Sequence, residues 1–162
     1  MEEPRIDKTV YTGRPENTEG RLEKEIAVYD FLDSLGIEYK RVDHEALMTM
    51  EACEEVDHLL EAKICKNLFL CNRSGTKFYL LLIRADKPFR TGEVSRQLGS
   101  SRLSFCSDAQ LMDKLGLVAG SVTPMALYRE SARDVVVAID EDIFDMNMVC
   151  VHPCVATASL AI

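Results

Sequence analysis

The chain has 162 residues, 47% of them hydrophobic, with a formal net charge of −8, which fits one compact domain with a sizeable core and lacks the compositional bias of a disordered chain. No window offers the roughly 18 consecutive apolar residues a membrane span needs, and the start, MEEPRIDKTV, has neither the basic end nor the apolar centre of a secretory signal. The sequence therefore reads as cytoplasmic, with no membrane partner. The overall acidity argues against nonspecific nucleic-acid binding, because phosphate contacts need clustered cations.

Residues 1–17, with two prolines and one glycine, read as an arm that gains order only by docking. Residues 18–162 form the domain. Thr18 is expected to open a helix carrying Leu22, Ile26, Tyr29, Leu32 and Leu35 on one face until Gly36 stops it. IEYKRV at 37–42 alternates like a half-buried strand, and Thr49 is placed to cap a helix running to about Leu60. NLFLCN and KFYLLLIRA follow as two apolar runs joined by Arg73-Ser74-Gly75-Thr76, a hairpin with glycine in its turn.

Thr91 starts a short helix, and LSFCS at 103–107 reads as a strand. Ser107 with Gln110 makes a capping box for a helix ending near Gly116. VVVAID at 135–140, MVCVH at 148–152 and VATASLAI at 155–162 complete the strands. This order implies an α/β domain with a mixed sheet.

The charge is unevenly spread. Between Lys63 and Arg102 nine basic residues face two acidic ones, which leaves −15 on the remainder. Such a segment suits a polyanion, or is an ordinary solvated surface. The six cysteines sit mostly in apolar stretches without CxxC spacing, as buried free thiols do. Nucleotide loops, HExxH and GxSxG are all missing, and the three histidines have no metal-ligand spacing. Neither a metal nor a cofactor is expected.

Polar candidates stand where apolar segments end: His44, the pair Lys66-Asn67 ahead of a strand, the loop Gly120-Ser121-Val122-Thr123-Pro124, and His152-Pro153. Loops at strand ends can converge on a pocket. Each candidate has a plain structural counterpart: a lysine reaching water, histidines satisfied by hydrogen bonds, and a turn shaped by glycine and proline.

KNLFL at 66–70, LSFCSDAQLMDKLGLVAGSVTPMAL at 103–127, VVVAID, the late His152-Pro153 and, more loosely, DHEALMT at 43–49 together resemble the YbaK-like prolyl-tRNA-editing domain family. The similarity is greatest to its free-standing deacylases of alanine on the proline tRNA. It implies a curved mixed β-sheet flanked by helices and a trans-editing hydrolase of mischarged Ala-tRNA(Pro) that needs no cofactor. The implied partners are the aminoacylated tRNA acceptor end and, as a second candidate, prolyl-tRNA synthetase. Lys66 inherits the essential polar role and Gly120 through Pro124 the GxxxP loop, so Lys66 and Gly120 become the catalytic candidates. His44, Met48, Thr49, Asn67, Ser121, Val122, Thr123, Pro124 and His152 become substrate-binding candidates.

Ala62 stands where the family often has glycine, and His152-Pro153-Cys154-Val155-Ala156 stands where it often has HPLxN. An activated ester needs a placed water and an oxyanion partner more than a strong nucleophile. On this reading Lys66 is an electrostatic anchor and the Gly120 loop presents backbone N–H groups. The alternatives are a deacylase for serine or cysteine on tRNA, and a noncatalytic tRNA- or protein-binding module.

Overall fold

The computed structural model describes residues 3–47 and 49–162. The fold is mixed α/β. In chain order its elements are β1 (Tyr11–Thr12), α1 (Glu23–Ser34), β2 (Lys40–Asp43), α2 (Met50–Leu60), β3 (Lys63–Cys71), β4 (Phe78–Arg84), α3 (Thr91–Gln97), β5 (Ser104–Phe105), α4 (Asp108–Leu115), β6 (Val135–Ile139), β7 (Val149–Val151) and β8 (Ala158–Ala161), with three short 3-10 turns between α4 and β7. The chain forms two compact units, residues 1–64 with 147–162, and residues 65–146.

In the first unit β2 pairs antiparallel with both β1 and β8, β7 pairs antiparallel with β8, and the first two residues of β3 run parallel to β7. Val42, Val56, Leu60, Ala62, Cys150 and Ala161 form its core. The helix expected from Thr18 begins only at Glu23, because Arg21 N–H closes a turn on the Thr18 carbonyl and Gly20 takes φ +79°. Leu22 and Leu35 are exposed, so the buried stripe is Val28, Tyr29 and Leu32. Thr49 caps α2 by accepting from Ala52 N–H at 3.2 Å.

The arm is strand-paired. Tyr11 and Thr12 lie opposite Arg41 and Lys40, and the Arg41 guanidinium sits 4.5 Å over the Tyr11 ring. Arg41, Asp43, Arg21, Glu25 and Tyr29 form a connected charged network. Because each buried charge has an opposite partner, Glu25 and Arg41 can both lie 3% exposed.

In the second unit β3 and β4 make the antiparallel hairpin, in register from Cys65↔Arg84 to Cys71↔Phe78. β6 runs parallel to β4, and β5 pairs antiparallel with β3. All seven residues of β4 except Arg84 are buried, as a continuous apolar run between two neighbours should be. Each fully buried leucine there, such as Leu80, contributes about 1.5–3 kcal/mol. Ser107 and Gln110 form the capping box of α4, and Gly116 ends it at φ +65°. One face of the sheet carries Leu70, Tyr79, Leu81 and Ile83, packed against Val94 and Leu98.

Candidate functional site

Lys66 and Asn67 are inside β3, not ahead of it, at its fourth and fifth positions. Strand alternation sends them to opposite faces. Lys66 is directly across from Ile83, on the face that α3 covers, and its ammonium donates to the Lys87 carbonyl at 2.7 Å. Among the described residues no carboxylate pairs with it. Lys87 itself is paired differently. Its ammonium donates to Asp140 Oδ1 at 2.8 Å and forms an ion pair with Asp142.

Asp140 closes the apolar run of β6 and gathers several donors. Its carboxylate accepts from Lys87, from Asp142 N–H at 3.2 Å and from Arg84 N–H at 3.4 Å. Burial alone would push the Asp140 carboxyl up, but Lys87 and these N–H groups together hold it below the usual range. The Lys87 ammonium is correspondingly raised by Asp140 and Asp142. Sequence reading missed this cluster; its signal was an acid directly after an apolar strand.

A cleft of about 650 Å³ opens beside the cluster, floored by Leu81, Ile83 and Ala138 and walled by Val94 and Leu98, with Lys87, Asp140 and Glu141 among its polar lining. It combines an apolar floor with a few placed charges, as small-ligand sites do.

Asn67 donates to the Cys65 carbonyl at 3.3 Å, while its buried Oδ1 has no partner. Gly120 holds φ +91°, and a Cβ there would meet no atom within 4 Å. Glycine is therefore demanded by backbone conformation and not by crowding. Ser121 donates to the Val118 carbonyl at 2.8 Å, and Thr123 accepts from Met125 N–H at 3.2 Å as Pro124 begins a 3-10 turn. Ser121 and Thr123 are buried and Val122 and Pro124 half-buried, so the loop is preformed.

The remaining candidates belong to the first unit. His44 Nδ1 lies 2.8 Å from the Glu45 carbonyl, so it carries the proton, and Nε2 accepts from the Ser159 hydroxyl at 2.8 Å. His152 Nδ1 donates to the Ala158 carbonyl at 2.9 Å, and the two imidazole rings are 6.4 Å apart, edge to face. Burial lowers the pKa of both, which keeps them neutral at pH 7. Thr49 spends its hydroxyl on the helix cap, and Met48 lies outside the described residues. Cys154, two residues after His152, is buried at φ +63°, a conformation that costs a non-glycine residue energy.

The cysteines are free and mostly buried, and burial pushes the Cys106 thiol up to about 12. Such thiols are poor nucleophiles at neutral pH.

The model of the aminoacyl-tRNA editing domain matches residues 44–162. The chain belongs to the aminoacyl-tRNA editing domain family. It is an aminoacyl-tRNA deacylase, an ester hydrolase, and no helix among its described residues is long and apolar enough to cross a membrane. The chain is similar to the prolyl-tRNA editing protein ProX of Acetoanaerobium sticklandii, at 32% identity over 78% of this chain and 77% of that one. It is also similar to prolyl-tRNA synthetase associated domain-containing protein 1 of Danio rerio, at 34% identity over 75% of this chain and 65% of that one. A solved structure described as a candidate trans-editing enzyme for prolyl tRNA synthetase shares the fold, with a TM-score of 0.66 at 19% identity over 87% of each chain.

Proposed function

We propose that this editing domain acts in trans on Ala-tRNA(Pro), releasing alanine and intact tRNA. Its relatives named for prolyl-tRNA editing and for association with prolyl-tRNA synthetase support the choice of tRNA. The observation that carries the mechanism is Lys66: a strand-borne ammonium on a neutral carbonyl, in a chain where neighbouring cations such as Arg84, Lys87 and Arg90 are paired with carboxylates. Its charge remains available to a substrate oxygen.

In this reading water adds to the ester carbonyl carbon. Lys66 and the N–H groups of the Gly120 loop stabilise the developing oxyanion, and the terminal ribose oxygen leaves with the water's proton. The neighbouring ribose hydroxyl orients that water. His44 and His152, neutral and hydrogen-bonded within the first unit, do not serve as strong bases. Val122, Thr123 and Pro124 form a small, rigid edge that admits alanine and excludes the proline ring, which is the fidelity step a synthetase pocket for proline cannot supply by itself.

The deciding assay compares deacylation of Ala-tRNA(Pro) with that of Pro-tRNA(Pro), Ser-tRNA and Cys-tRNA. A kcat/KM preference for alanine of about 100-fold or more over proline is expected, the range that steric sieving provides. A preference for serine or cysteine would reassign the specificity and leave the hydrolytic reading intact.

A further inference from the structure

We propose that β6 is a homodimerisation edge, pairing antiparallel with β6 of a second copy of this chain. In the second unit β6 has β4 on one side and no strand on the other among the described residues. Its sequence, VVVAI, carries no charge, no proline and no glycine. Val136 is 37% exposed, and Val137 and Ile139 are each 41% exposed, so both of its faces show apolar surface to solvent. Free edges are ordinarily guarded by lysine, proline or a bulge, because unpaired N–H and C=O groups template another strand. β6 has none of the residue guards.

The flanking charges favour a second copy as the occupant. Antiparallel pairing centred on Val137 sets Val135 against Ile139 and Val136 against Ala138, which is self-complementary as a two-fold interface requires. Beyond the strand, exposed Arg133 of each copy comes to the end where exposed Glu141 of the other lies. Asp134 and Asp140 would also approach one another, but each is already answered within its own chain, by Lys114 and Lys87 at 2.8 Å. Arg133 is itself paired within its chain, with Glu130 at 3.2 Å, but both side chains are about 80% exposed, so that pair is weak. Arg133 can exchange it for Glu141 of the partner subunit, while the repulsion stays suppressed. Ile139, Asp140 and Glu141 line the cleft, so the pairing brings Arg133 of the partner subunit to its rim.

Sedimentation velocity across a concentration series tests this, with melting curves to show that each variant is folded. Wild type is expected to form dimers. Val137→Lys, at an exposed position, should give monomers. Arg133→Glu should weaken the dimer by about tenfold or more, since like charges then meet twice. Arg133→Glu combined with Glu141→Arg should restore it. A wild type that stays monomeric at every concentration, a dimer indifferent to Val137→Lys, or a double variant no better than the single one would overturn the proposal.

Discussion

Asp140→Asn removes one charge two hydrogen bonds away from the proposed reacting group, and its effect is expected on turnover. The route is short: Asp140 Oδ1 holds the Lys87 ammonium at 2.8 Å, and the Lys87 carbonyl holds Lys66 at 2.7 Å. Lys87 N–H closes the turn on the Arg84 carbonyl at 3.1 Å, and Asp140 also takes Arg84 N–H, so one carboxylate secures both the side chain and the start of the turn. The amide keeps the shape but weakens every bond that depended on charge. Lys87 is 37% exposed and retains Asp142 as a second partner, so the carbonyl loosens without being lost. A misplacement of about 1 Å costs on the order of 100-fold in rate. The expected fall in kcat for this partial loosening is therefore about 10-fold to 100-fold, with KM little changed. Lys66→Met, which removes the donor itself, should fall further, by about 100-fold to 1000-fold. Single-turnover deacylation at saturating enzyme reads both, and Lys87→Met should track Asp140→Asn. An Asp140→Asn protein that melts earlier yet hydrolyses at the wild-type rate would refute the positional chain.

Gly120→Ala, at φ +91° with open space around the added methyl, should cost about 1–3 kcal/mol from backbone strain alone and lower turnover of the folded protein as well; a lower melting temperature with unchanged turnover would reduce the loop to a turn. Glu61, the αL cap of α2 at φ 52°, should gain about 1 kcal/mol on replacement by glycine, read by denaturant unfolding. His44 and His152 have folded pKa values below the ordinary 6.5, so the unfolded chain takes up their protons first. Stability is accordingly full above pH 6.5 and falls as pH drops below it toward the folded values, a slope that His152→Gln should flatten in urea melts across pH 5–7.

Features with local causes were legible in the sequence. The Ser107–Gln110 capping box, Gly116 at its helix end, the Thr49 cap and the hairpin around Gly75 follow from chemistry within a few residues. Misread features were those that depend on distant partners. β1 exists because Arg41 and Lys40 pair with it, and two residues alone carry no strand pattern. Thr18 has a cap's chemistry but makes a turn, with Gly20 delaying the helix to Glu23. At the candidate site the residue types were visible and their connections were not. Nothing near Lys66 in sequence indicates that its partner is a carbonyl 21 residues on, fixed by an acid 53 residues beyond that.

Charge placement explains how an acidic chain can address an acidic substrate. Of the basic residues between 63 and 102, Arg84, Lys87 and Arg90 are tied to carboxylates, two of them supplied from outside that segment by Asp140 and Asp142. The apparent excess of cations is thus partly consumed in holding the fold, which weakens the case for a broad phosphate-binding surface. Binding by general attraction would in any case select poorly, because every tRNA offers the same backbone. Lys66, held on the Lys87 carbonyl at 2.7 Å with no carboxylate paired to it among the described residues, adds a local point of attraction to a chain of net charge −8. On the proposed function, discrimination then comes from what fits beside that point, because alanine and proline carried by the same tRNA differ only in the acyl group at the ester.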